Sequence, residues 1–85
     1  MTVYRVEFHA KGAAETRGLP EAAFTALFDK LVAVSRDPWE LSNTDATMGD
    51  LGFRWAAFDS GLGVVHFVVD DAARVLRVHG VTWTG

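Results

Sequence analysis

Apolar and polar side chains alternate along residues 4–9, which read YRVEFH. A period of two is typical of a strand with one buried and one solvated face, so the pattern predicts a first strand here. Residues 10–17, AKGAAETR, are small and polar. They predict a short helix that ends at Gly18, because glycine is common just beyond helix C-termini.

Residues 20–36 carry the strongest helical pattern in the chain. Pro20 suits a first helical turn, and Pro38 disfavours helical geometry at Asp37, so the predicted helix runs from about residue 20 to residue 36. Its apolar side chains recur three or four positions apart on one stripe: Phe24, Leu27, Phe28, Leu31 and Val32. We expect this stripe to pack against a sheet.

Three further apolar segments predict strands: FRWAAFD at 53–59, GVVHFVVDD at 63–71 and RVLRVHGVTW at 74–83. Short turns at Ser60-Gly61 and at Asp70 to Ala73 make them antiparallel neighbours. The predicted fold class is therefore α+β: a four-stranded, largely antiparallel sheet packed by the two helices on one face. We expect residues 1–85 to form a single domain.

The segment between the long helix and the next strand, residues 37–52, shows no periodicity and contains two glycines and Pro38. A loop of this length in so small a domain is unusual. Two interpretations remain open: a packed crossover anchored by Trp39 and Met48, or a binding loop.

Composition narrows the functional classes. The chain has 85 residues, 49% of them hydrophobic, and contains no cysteine. Disulfides, thiolate metal sites and thiol nucleophiles are therefore excluded. The N-terminus lacks the features of a signal peptide or a membrane span, so we expect a cytoplasmic protein that does not engage membranes. The net charge of −3 argues against strong nonspecific nucleic-acid binding.

The order of these segments carries a family resemblance. The strand YRVEF, a helix that opens at LP and closes before DPW, a glycine-bearing loop, and then FRWAAFDSGLGVVHFVVDD and VLRVHGV resemble the RelE/ParE superfamily of toxin–antitoxin toxins. The resemblance covers nearly the whole chain. It implies a four-stranded sheet packed by helices and an antitoxin partner wrapped around it. For the RelE branch it also implies cleavage of messenger RNA on the ribosome.

The ribonuclease members of this superfamily resemble one another in placing basic residues on the open face of the sheet. One or two lie in the strand written FRWAAF here, one follows the hairpin turn, and others lie near the C-terminus. In this chain Arg54 matches such a position, whereas Ala56, Gly63 and the tail WTG do not. Most of the ribonuclease basic residues are therefore missing.

Three residues form the predicted catalytic site. If Leu76 and Val78 face the helix, Arg77 and His79 point together to the open face. With Phe53 and Trp55 directed inward, Arg54 would join them. Cleavage of RNA through its own 2′-hydroxyl needs a proton acceptor and cations near the phosphate. We expect His79 to carry the proton and the two arginines to stabilise charge, with polar residues on a merely solvated face as the alternative.

The strand at 63–71 admits two orientations, because both of its sides are apolar. The resemblance favours His66 inward as a hydrogen-bonded core residue. Val65 and Phe67 would then form an exposed patch with Trp83, which we expect to bind a partner unless the C-terminal residues cover it.

Other candidate sites are weak. Glu7 and His9 on one strand are too few to bind a metal, and Asp70-Asp71 is typical of a turn. We expect no metal and no cofactor. Two functions remain. One is a RelE-like toxin that cleaves messenger RNA as a metal-independent endoribonuclease. The other is a catalytically inactive RelE/ParE-fold protein that acts by protein binding, as the ParE branch does on a topoisomerase.

Overall fold

The computed structural model describes residues 3–40, 45–47 and 50–85. Its elements are β1 (Arg5–Phe8), α1 (Ala10–Thr16), α2 (Glu21–Arg36), β2 (Asp45–Thr47), β3 (Asp50–Phe58), β4 (Gly63–Asp70) and β5 (Val75–Trp83). The predicted α+β class is confirmed. Both helices lie where the sequence predicts them, since Pro20 and Pro38 flank α2 as expected.

The strands form one mixed sheet in the order β1-β5-β4-β3-β2. β1 runs parallel to β5, with Arg5 opposite Val75, and the other neighbouring pairs are antiparallel. Four of these strands are the predicted ones. The fifth, β2, lies inside the segment without periodicity, and it pairs with part of β3. Met48, the second predicted anchor of that segment, lies outside the described residues.

The core lies between α2 and one face of the sheet. Val65, Phe67, Leu76 and Val78 are each 0% exposed. They pack with Leu27, Leu31 and Val34 of α2, whose buried residues also include Ala23 and Ser35. None of the helices within the described residues is long and apolar enough to cross a membrane.

The apolar stripe of α2 is wider than the surface that the sheet covers. Leu27 and Leu31 are buried as predicted, but Phe24 is 46%, Phe28 59% and Val32 38% exposed. The prediction that the whole stripe packs on the sheet is therefore wrong. The buried residues recur at intervals of three or four, which leaves the phenylalanines on the flank of the helix.

Helix α1 covers the part of β5 that extends beyond β1. The His9 N–H donates to the Val78 carbonyl at 2.7 Å, and the Val81 N–H donates to Glu15 Oε1 at 2.9 Å. A Cβ atom placed on Gly12 would lie 2.6 Å from the Val78 oxygen, so glycine permits the close approach of helix and strand. The hydrogen bond from Val81 holds the pKa of Glu15 below its ordinary value, and Lys11 adds to this effect.

The turn between β3 and β4 lies close to its predicted position. Asp59 and Ser60 have φ angles of 53° and 55°, and the Gly61 N–H donates to the Phe58 carbonyl at 3.2 Å. Phe58 pairs with Gly63, so the loop between the strands comprises residues 59–62, and its positive φ angles at Asp59 and Ser60 are those of a type I′ turn. The turn fixes the register of β3 and β4, on which several of the site residues lie.

Candidate functional site on the open face of the sheet

The face of the sheet opposite α2 carries the predicted site residues Arg77 and His79. Its members alternate with the buried residues along each strand. In the strand register, Trp55 lies opposite His66, Val68 lies between Phe53 and Arg77, and Glu7 lies opposite Arg77. We call this set, together with His79, the open face: Glu7, Phe53, Trp55, His66, Val68, Arg77 and His79.

His79 occupies an irregularity in the pairing of β4 with β5. Phe67 lies opposite Val78 and His66 lies opposite Gly80, so His79 is the extra residue of a β-bulge. Bulges of this kind redirect side chains and recur beside active sites. The imidazole meets the Phe53 ring edge to face, with the centroids 5.7 Å apart and the planes at 82°.

The surroundings of His79 favour the neutral form of its imidazole. Partial burial lowers the pKa of His79, and electrostatic interactions with His66, Lys11 and His9 lower it further. A histidine whose pKa is lowered from its ordinary value is largely unprotonated at pH 7. His79 is therefore suited to accept a proton rather than to hold an anion as a cation.

Arg77 lies on the open face as predicted, but its charge is compensated. Its Nη1 donates to Asp70 Oδ2 at 2.9 Å, and its Nε lies 4.0 Å from Glu7 Oε1. These carboxylates raise the pKa of Arg77, the hydrogen bond to Asp70 being the main cause. A phosphate that approached this guanidinium would compete with both.

The predicted orientation of Arg54 is wrong. Its side chain lies on the helix-facing side of β3, opposite Phe67, and is 3% exposed. Its guanidinium carbon lies 5.1 Å from the centroid of the Trp39 ring. Phe53, which the sequence predicts to point inward, is instead 43% exposed on the open face. The structure therefore brings Arg77 and His79 to one face and separates Arg54 from them.

The predicted orientation of β4 is wrong as well. Val65 and Phe67 are core residues, so they cannot form an exposed partner-binding patch. His66 lies on the open face instead of pointing inward. Trp83, the third member of the expected patch, is half-buried against the core and donates its indole N–H to Asp59 Oδ2 at 2.8 Å. Both sides of β4 are apolar, and the side that carries the bulkier Phe67 packs against α2.

The start of the 37–52 segment is anchored through Trp39, as one of the two interpretations requires. The Trp39 indole donates to Asp71 Oδ1 at 3.1 Å, and the Tyr4 hydroxyl donates to the same oxygen. These two hydrogen bonds, that from Tyr4 first, lower the pKa of Asp71. Arg74 completes the cluster by donating to the Tyr4 oxygen at 2.9 Å.

Sequence reasoning missed the aromatic and helical neighbours of the histidines. Phe53 and Trp55 lie on the open face, and Glu15 of α1 lies close to Gly80, the cross-strand partner of His66. The spacing of Lys11 and Glu15, four positions apart, predicts their ion pair but not its place beside the sheet. Within the described ranges, no three His, Cys, Asp or Glu side chains are grouped to hold a metal ion.

The fold matches solved toxin structures closely. Against the isolated RelE toxin of Escherichia coli the TM-score is 0.83 at 22% identity, covering 96% of this chain and 85% of that one. Against the intact E. coli RelBE toxin–antitoxin complex the TM-score is 0.82 at 22% identity, covering 96% and 98%. The toxin–antitoxin complex RelBE2 of Mycobacterium tuberculosis gives 0.80 at 20% identity, covering 96% and 99%.

No protein-family model matches the sequence, and no curated protein matches it. At identities near one in five, the agreement with the toxin structures establishes the fold. This chain therefore has the RelE fold, as its order of segments predicts.

Proposed function

We propose that this chain is the toxin component of a type II toxin–antitoxin pair and that its protein partner is an antitoxin. The observation that supports the proposal is the agreement in fold over 96% of this chain with toxins, among them toxins solved together with their antitoxins. The product of a small reading frame next to its gene is the natural candidate for the partner. Co-expression should yield a stable complex and relieve any growth arrest that this chain causes alone.

For the activity of the toxin, we propose metal-independent cleavage of messenger RNA on the ribosome. His79 would take the proton of the 2′-hydroxyl, and the 2′-oxygen would then attack the adjacent phosphorus. The 5′-oxygen would leave with a proton from an acid, which gives a 2′,3′-cyclic phosphate and a 5′-hydroxyl. The specific support is that His79 lies on the open face and has a pKa below its ordinary value.

The aromatic neighbours of His79 suit an RNA substrate, whereas its basic neighbour Arg77 is already paired with carboxylates. Phe53 and Trp55 offer ring faces on which unpaired bases stack. Arg77 lies two positions from His79 on β5, and Asp70 and Glu7 compensate its charge. The ribosome would therefore have to supply part of the positioning and positive charge.

The second candidate function is inhibition by protein contact alone, and the same electrostatics favours it. A net charge of −3 and the compensated Arg77 give the open face little attraction for phosphate. Exposed aromatic side chains such as Phe53 are common anchors in protein interfaces. In this function the histidines would contribute shape and hydrogen bonds rather than proton transfer.

The test is mapping of RNA ends in a bacterial cell-free translation reaction. Wild-type protein is compared with two site variants, His79→Ala and Arg77→Ala. The matched control for Arg77→Ala is Arg17→Ala, which replaces an exposed arginine at the C-terminal end of α1. Ends within ribosome-bound codons that disappear with His79→Ala but persist with Arg17→Ala would support the ribonuclease. Inhibition by contact would be favoured by three results together: the message stays intact, circular dichroism shows a folded protein, and a stable antitoxin complex forms. Absence of both cleavage and complex would overturn the toxin assignment.

A further inference from the structure

The cleavage step proposed above needs a proton donor for the leaving 5′-oxygen. Besides His79, the titratable side chains of the open face are Glu7, Arg77 and His66. A hydrogen bond to a carboxylate raises the pKa of Arg77, so this guanidinium retains its proton. Glu7 is paired with Arg5 at 2.7 Å and with Arg77 at 4.0 Å. Because an imidazole exchanges its proton near neutral pH, His66 is the group suited to donate one.

The β-bulge at His79 brings the two imidazoles to the same part of the sheet. His66 lies opposite Gly80, the residue that follows His79. Val78 and Val81 are buried in the core, so the two residues between them both face the open side. Burial lowers the pKa of His79, and the electrostatic interaction with His66 lowers it further, as expected for neighbouring imidazoles.

Each histidine has an aromatic neighbour on β3. Phe53 meets the His79 ring edge to face, and Trp55 lies opposite His66 in the strand pairing. Two unpaired bases that stack on these rings would bring the phosphate between them to the two histidines.

The carboxylate of Glu15, on α1, lies beside His66. A Cβ atom placed on Gly80 would lie 3.8 Å from His66 Cδ2 and 3.9 Å from Glu15 Oε1, so the two side chains converge above this glycine. The Val81 N–H donates to Oε1 at 2.9 Å, and Lys11 pairs with the same oxygen at 3.3 Å. The hydrogen bond from Val81 is the main cause of the lowered pKa of Glu15, and an electrostatic interaction with His66 contributes. An ionised carboxylate beside an imidazole favours its protonated form.

We propose that His66 is the catalytic acid of the cleavage and that Glu15 is its positioning residue, an inference that rests on the proposed ribonuclease activity. His79 takes the proton of the 2′-hydroxyl as the 2′-oxygen bonds to phosphorus. The bond from phosphorus to the 5′-oxygen breaks, and the His66 imidazolium gives its proton to that oxygen. The attacking and leaving oxygens lie in line on opposite sides of phosphorus, so two separate proton carriers are needed. Proton exchange with water then returns both histidines to their starting forms.

The experiment uses ribosomes programmed with one of two synthetic messages. One is the natural message, and the other has sulfur in place of the 5′-oxygen at the bond that is cut. Since a thiolate leaves without being protonated, the sulfur message needs no acid. His66→Ala should slow cleavage of the natural message by about 10²–10⁴-fold and leave cleavage of the sulfur message close to the wild-type rate. His79→Ala should slow both, because the 2′-hydroxyl proton must still be removed.

Glu15→Gln tests the positioning role through the pH dependence of cleavage of the natural message. The charged and titratable groups near His66 are Glu15 and Lys11 of α1 and His79 of β5. Loss of the carboxylate should move the fall in rate at high pH to a lower pH, because the imidazolium then loses its proton more readily. Glu21→Gln, at an exposed glutamate in the first turn of α2, should leave the profile unchanged.

The outcomes separate failure of this assignment from failure of the ribonuclease. If His66→Ala slows both messages equally, or neither, His66 is not the acid, although the wild-type protein still cleaves RNA. An unmoved pH profile in Glu15→Gln would refute the positioning role. A wild-type protein that cuts neither message would overturn the ribonuclease and the assignment of His66 with it. Circular dichroism on each variant distinguishes a lost proton donor from a lost fold.

Discussion

Replacement of Gly12 by alanine has two opposite effects on the free energy of unfolding. Gly12 lies inside α1, where alanine is favoured over glycine by about 1 kcal/mol. The added Cβ, however, would lie 2.6 Å from the Val78 carbonyl oxygen and 3.1 Å from its carbon. Both of these atoms belong to the backbone of a buried strand, so they cannot move aside as the end of a flexible side chain could.

The steric effect should prevail. β5 is held by β1 on one side and β4 on the other, so α1 must shift away from the strand. Overpacking costs about 1–3 kcal/mol, and the upper part of this range, about 2–3 kcal/mol, applies because the Cβ would lie 2.6 Å from a backbone atom. After subtraction of the gain in helix propensity, we expect Gly12→Ala to lower the free energy of unfolding by about 1–2 kcal/mol. For a chain of this size that corresponds to a fall in Tm of about 5–15 °C.

Urea unfolding followed by tryptophan fluorescence measures the effect, with the m-value as a check that the transition remains two-state. Gly18→Ala is the matched control, because a Cβ at that position meets nothing within 4 Å. It should change stability by less than about 0.5 kcal/mol. If Gly12→Ala proved as stable as wild type or more stable, the packing of α1 on β5 described above would be refuted.

Three further substitutions test other parts of the structure. Ser60→Gly should raise the free energy of unfolding by about 0.5–1 kcal/mol in the same assay, because its φ of 55° is strained for serine. Glu15 has a pKa lowered from 4.5. The stability that its carboxylate contributes to the folded state is therefore present above pH 4.5 and is lost as the pH falls through the lower pKa of the folded state. Glu15→Gln should therefore flatten the acid decline in Tm, and an unchanged decline would contradict this. Lys11→Met removes a positive neighbour and should raise the pKa of His79 in an NMR titration. An unchanged or lower value would contradict the electrostatic account of that imidazole.

The parts of the fold that depend on local signals could be predicted from the sequence. Pro20 and Pro38 act on the backbone directly, and the bounds of α2 follow from them. Alternation along YRVEFH marks β1 because only one of its faces is apolar. The parallel pairing of β1 with β5 and the short β2 depend on contacts between distant segments, and local patterns carry no information about these.

The candidate site could be predicted only where alternation is unambiguous. Arg77 and His79 alternate with Leu76 and Val78, and their common face follows from that pattern. In FRWAAF and GVVHFVV both sides are apolar, so either orientation satisfies the pattern. The orientation of β4 is determined by the space between the sheet and α2, which Val65 and Phe67 fill. His66, which lies between them in the sequence, therefore points to the open face.

The burial of Arg54 links the fold to the question of activity. The strand position at which the sequence resemblance predicts a basic residue has one here, but its guanidinium packs against Trp39 on the helix side. That arginine is used to hold the start of the 37–52 segment and cannot reach a phosphate on the open face. Within the described residues, stabilisation of a phosphorane beside His79 by arginine falls to Arg77. Cleavage that uses an arginine of this chain would require Arg77 to exchange its hydrogen bond to Asp70 for one to the substrate, whereas inhibition by protein contact requires no such exchange.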